Sequence, residues 1–137
     1  MPFTVNLNQR AGVFGRFDVA WTPTVLALSR KGQERLRLEG YHDRKNFNAW
    51  LRMALGRIAF MGKHFDDAIR WYREAAATDS QYQAEAMYWQ AVAQYNQNQD
   101  PAPLVQVAQD LHSRFPGSIW SLKTEAWMPE QDQRMSA

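Results

Sequence analysis

Residues 21–41 read WTPTVLALSRKGQERLRLEGY, and this stretch decides the fold class. Pro23 has no backbone N–H to give to a sheet, so it belongs at the start of a strand rather than inside one. The apolar run Val25 to Leu28 that follows is short enough for a strand and too short for a helix. Ser29-Arg30-Lys31-Gly32 then reads as a turn, with Gly32 free to adopt positive φ. Beyond it Leu36 and Leu38 alternate with Arg35 and Arg37, so the two leucines share one face of a second strand. The expectation is a β-hairpin over residues 24–39, closed by Gly40.

On the N-terminal side, Phe3, Val5 and Leu7 alternate with Thr4 and Asn6 as a half-buried strand would. A turn-rich stretch from Asn8 to Gly12 and a short helix or helical turn from Val13 to Val19 lead into Trp21. On the C-terminal side the apolar period changes from two to 3.6 at Asp43. Asp43 is suited to cap a helix whose stripe is Phe47, Trp50, Leu51, Ala54, Leu55 and Ile58, running to about Met61.

Three more helices and a short fifth follow by the same periodicity. Phe65, Ile69, Tyr72 and Ala75/Ala76 form the second stripe, with Asp66 and Asp67 in the first turn where negative charge complements the dipole. Ser80 and Gln83 have capping-box spacing before a third stripe of Ala84, Met87/Tyr88, Ala91 and Tyr95. Asp100-Pro101 opens the fourth helix, carrying Leu104, Val107/Ala108, Leu111 and Phe115, and Pro116-Gly117 stops it. Ser118 is placed to cap the fifth, which contains Ile119, Trp120 and Leu122 and ends before Pro129.

Paired helices of this length resemble tetratricopeptide repeats, whose unit is about 34 residues. Leu55-Gly56, Ala68, Tyr72 and Ala75 carry the resemblance in the first unit; Ala91, Tyr95, Leu104, Ala108, Leu111 and Phe115-Pro116-Gly117-Ser118 carry a weaker one in the second. A small residue at a helix crossing lets two backbones approach while the aromatic fills the wedge beside it. Two units fall short of the three usually needed to bury a repeat core, so another element must cover one end. A plain helical hairpin stack is the competing reading.

The Thr22-Pro23-Thr24 step, the apolar strand, the Gly32 turn and the alternating strand resemble the C-terminal half of a thioredoxin fold. The combined expectation is an α+β chain: an incomplete thioredoxin-like sheet of order β-α-β-β-α over residues 1–61, then tetratricopeptide-like antiparallel helices over 44–127 sharing the helix 44–61, then a flexible tail over 128–137. The resemblance implies a cis Pro23, with Thr22 presenting its backbone to an extended peptide and Trp21 at the rim; Trp21 filling a void is an equal alternative. It also implies a Cys-x-x-Cys helix ahead of Phe3, which this chain lacks. In that fold a further strand precedes the Cys-x-x-Cys helix and lies between the equivalents of Phe3 to Leu7 and Thr24 to Leu28, so the resemblance implies that its loss orphans backbone groups at about 1–3 kcal/mol each. Direct pairing of the two remaining strands, a strand from a partner chain, or coding sequence upstream of Met1 would each resolve this.

Composition narrows the chemistry. The 137 residues are 45% hydrophobic, contain no cysteine, and carry a net charge of +2. Disulfides, thiolate metal sites and thiol catalysis are therefore excluded within the chain. Eight Lys/Arg against four Asp/Glu in residues 1–50 make that part basic, but alternating strand positions place such charges on a solvated face, so no nucleic-acid partner is expected. No run is long and apolar enough for a membrane span and no secretory signal opens the chain, so a cytoplasmic location is expected. His42, His64 and His112 lie in unrelated contexts, the serines lack a Gly-x-Ser-x-Gly setting, and no phosphate-cradling glycine loop occurs; no metal, cofactor or catalytic residue is assigned. Trp50, Trp71 and Trp89 are expected in the core, with Trp120 and Trp127 over the last helix pair.

The functional expectation is a non-catalytic protein-interaction module. Its peptide-contacting residues would be Trp21, Thr22 and Pro23, with Arg52, Arg70 and Gln90 in a groove of the helices. The alternative is the substrate-contacting part of a thiol-disulfide oxidoreductase whose Cys-x-x-Cys segment is coded upstream. An unpaired strand edge would also allow a homodimer.

Overall fold

A computed structural model describes residues 24–40 and 42–129 of the chain. The strand expected at Phe3 to Leu7, the helical turn expected at 13–19, the residues Trp21, Thr22 and Pro23 expected to contact a peptide, and the tail from 130 onward lie outside the described residues. Among the described residues the chain is mixed α+β and mostly helical, with one two-stranded antiparallel sheet.

The hairpin consists of β1 (Thr24–Leu28) and β2 (Glu34–Glu39). Val25 faces Leu38 and Ala27 faces Leu36, so one face of the pair is wholly aliphatic. Gly32 turns the chain at φ 78°, its N–H donating to the Ser29 carbonyl at 2.9 Å. Leu28 then pairs with Glu34, leaving Arg35 as an extra residue. A bulge of this kind bends the strand and increases its twist.

The helices are α1 (Arg44–Met61), α2 (Phe65–Ala77), α3 (Gln83–Asn98), α4 (Ala102–Arg114) and α5 (Ile119–Lys123), followed by a 3₁₀ turn (Glu125–Trp127). Each of the four long helices packs on the next. The connections are only a few residues long, so neighbours run antiparallel. The Asp43 carboxylate accepts from the Asn46 N–H at 2.8 Å and fixes the start of α1. Between α1 and α2 it is Lys63, not Gly62, that takes the left-handed conformation, at φ 63°.

Helix α1 is buried on two sides. Trp50 and Ala54 meet Ala27 and Leu38 of the hairpin, while Met53 and Ala59 join Ala68, Ile69, Tyr72 and Ala75 of α2 and Ala86 and Ala93 of α3. The hairpin thereby covers one end of the stack, where an open repeat would expose apolar surface. At the other end Ala84 and Ala91 of α3 pack on Val107 and Leu111 of α4, under Tyr88, Trp120 and Trp127.

Four expectations are corrected. Leu55, placed on the buried stripe, is 39% exposed, because the second buried face of α1 runs through Ala49, Met53, Gly56 and Ala59 instead. Ser80 does not form a capping box with Gln83: its hydroxyl accepts from the Tyr82 N–H at 3.1 Å, and the Gln83 amide donates to the Ala76 carbonyl at 3.0 Å. Two turn residues intervene before α3 begins, which takes Ser80 out of capping register. Trp71 is half-buried, with the Arg70 guanidinium 5.1 Å over its ring. Met128, assigned to the tail, is 9% exposed and belongs to the core.

Candidate functional site

A groove runs over the middle of the helical stack, walled by α2 and α4 and floored by α3. Its depth comes from small side chains. Ala76 and Ala77 at the end of α2 and Ala91 of α3 leave space that longer residues at the same positions would fill. One cavity of about 380 Å³ lies over Ala91 and Val107, and a second of about 320 Å³ continues from it toward Asp66 and Gln97. Arg73, Gln94 and Pro103 line both, so the two are one continuous depression.

Several of the polar groups around it are already engaged. Gln97 donates its amide to Asp66, and Gln106 donates to Asp110 at 3.0 Å. Arg70 lies 3.7 Å from Asp67, and Arg114 sits over the Phe115 ring at 5.4 Å with Nη1 3.8 Å from the Met87 sulfur. Arg73 makes no ion pair, and the Gln90 and Gln94 amides make no hydrogen bond, among the described residues. A cation and two amides therefore face the groove unpaired.

Of the three groove residues expected from sequence, Gln90 lines the first cavity and Arg70 the second. Arg52 lines neither. It lies 3.6 Å from Glu74 at the α1–α2 seam, and its Nη1 donates to the Asn48 carbonyl at 3.2 Å. Sequence reasoning missed Arg73, Gln94, Gln106 and Arg114. A legible signal existed for Gln94: it stands one helical turn from Gln90, on the face of α3 away from Trp89.

A neighbouring face of α3 carries an aromatic cluster. The Tyr88 ring lies 5.2 Å from those of Trp89 and Trp120 and 5.5 Å from that of Trp127. The Lys123 ammonium sits 4.8 Å from the Trp120 centroid, and the Arg57 guanidinium 5.8 Å from that of Trp89. Burial pushes the nearby Glu85 carboxyl up from the ordinary range, while Arg57 and Lys123 pull it back down. The Tyr88–Trp120 ring contact, with the Lys123 ammonium 6.0 Å from the Tyr88 centroid, holds α5 against α3.

His42 Nε2 lies 2.6 Å from the Tyr82 hydroxyl, tying the hairpin exit to the α2–α3 turn. No three His, Asp or Glu side chains converge as a metal site, and no helix is long and apolar enough to cross a membrane, among the described residues. The chain matches no family model, and neither a curated protein nor a solved structure is significantly similar to it.

Proposed function

We propose that this chain is a non-catalytic protein-interaction module in which a thioredoxin-like hairpin and a tetratricopeptide-like helical stack hold a peptide from another protein. The hairpin running directly into α1, and the close approach of Gly56 to Tyr72, support that choice of fold relatives. The continuous groove with unpaired Gln90, Gln94 and Arg73 is the observation that carries the functional reading. Grooves between packed helices are a recurrent docking surface for peptides.

The test is selection from a displayed library of random peptides on the immobilised chain. Binders that lose affinity about tenfold, or 1.4 kcal/mol, on the double substitution Gln90→Ala/Gln94→Ala are expected. Selection of no binder, or only of binders indifferent to that substitution, rejects the reading.

A further inference from the structure

Resting on the peptide-binding reading, we infer that the groove selects an extended segment with an acidic side chain at its centre, seated against Arg73. The two unpaired amides set the backbone geometry. Gln90 and Gln94 are four residues apart on one helix face, about 6 Å along the axis. Every second residue of an extended chain recurs at roughly 6.6–6.8 Å. Each carboxamide both donates and accepts, so the pair matches successive peptide groups on one edge of such a segment.

Charge then decides the side chain. The lining carries Arg70, Arg73 and Arg114 against two carboxylates, Asp66 in the far cavity and Asp110 in the near one, each of which keeps its negative charge while accepting a neutral amide donor. Arg70 faces Asp67. Arg73 lines both cavities, is exposed, and has no carboxylate partner among the described residues. A guanidinium and a carboxylate make the strong, fork-shaped contact that fixes register along a segment. Arg114, at the near end, adds a second positive charge over its ring support. A nucleic-acid strand fits less well, because no aromatic side chain lines either cavity to stack a base.

The experiment is the same selection, read position by position, on peptides of about ten residues. The expected result is enrichment of Asp or Glu at one fixed position, with binding of those peptides falling about tenfold on Arg73→Gln. Arg73→Glu should redirect selection toward Lys or Arg at that position. Arg73 is exposed, and an unchanged circular dichroism melt would confirm that both variants fold. Enrichment of neutral or basic residues with binding still dependent on Gln90 and Gln94 overturns the acidic specificity alone. Binding indifferent to Gln90 and Gln94 overturns the peptide-groove reading as well. Displacement of selected peptides by an equimolar random RNA oligonucleotide would overturn the proposal in favour of a phosphate ligand.

Discussion

Gly56 of α1 lies flat against the ring of Tyr72 in α2: a Cβ at Gly56 would stand 2.7 Å from Cε1, 2.8 Å from Cδ1 and 3.0 Å from Cζ. Tyr72 is 1% exposed, enclosed in the core with Met53, Ala68 and Ala75. Burial also pushes its hydroxyl pKa far up, so the ring stays neutral at any physiological pH.

Gly56→Ala should therefore destabilise the protein although alanine is the better helix former by about 1 kcal/mol. Overpacking a filled core costs about 1–3 kcal/mol. A lowered urea midpoint at unchanged slope would show it. An unchanged or raised midpoint would mean that the two helices can separate without loss.

Tyr82→Phe removes the 2.6 Å contact with His42 while keeping the ring that packs between the hairpin and α1. A net loss of about 1 kcal/mol is expected. Faster amide exchange in residues 24–39 than in α3 and α4 would locate the loss at the hairpin; uniform acceleration would place it elsewhere.

Asp43 has its carboxyl held below the ordinary range by the Asn46 backbone N–H. A depressed folded pKa contributes stability above the unfolded value, and that contribution is lost as pH falls through the folded value. Asp43→Asn should keep the cap but flatten the acid limb of the Tm profile. Asp43→Ala should lower Tm by a few degrees near neutral pH.

Glu85 has the opposite sign. Its pKa is raised by burial, so folding favours the protonated form, and stability falls as pH rises from the unfolded value through the folded one. Glu85→Gln should raise Tm at pH 7 relative to the parent, with the gain vanishing in acid below both values. A gain independent of pH would mean that packing, not charge, is responsible.

The hairpin and the helices were legible because their signals are local. Gly32 marks the turn, Leu36 and Leu38 show period two, and the later stripes show period 3.6. Leu55 was misread because a single stripe is a poor description of α1, which packs on the hairpin with Trp50 and on α2 with Met53. Ser80 was misread because capping-box spacing holds only when the helix starts at the next residue, and here two turn residues precede Gln83.

A smaller part of the groove was legible in the same sense. Gln90 and Arg70 stood out as polar residues on apolar helices, but Arg73 became prominent only once Asp67 was seen beside Arg70 and no carboxylate beside Arg73. Arg52 looked equivalent in sequence and turned out to face Glu74 at another seam.

The sequence by itself determined the order and type of the described elements and the absence of any thiol within the chain, because each depends on near neighbours or on composition. Only the tertiary structure decided which face of α3 is hollow and which is plated with aromatic rings. That choice depends on small residues of α2 and α3 meeting over one gap and on Trp120 and Trp127 folding back onto Tyr88, contacts between segments that no local period records.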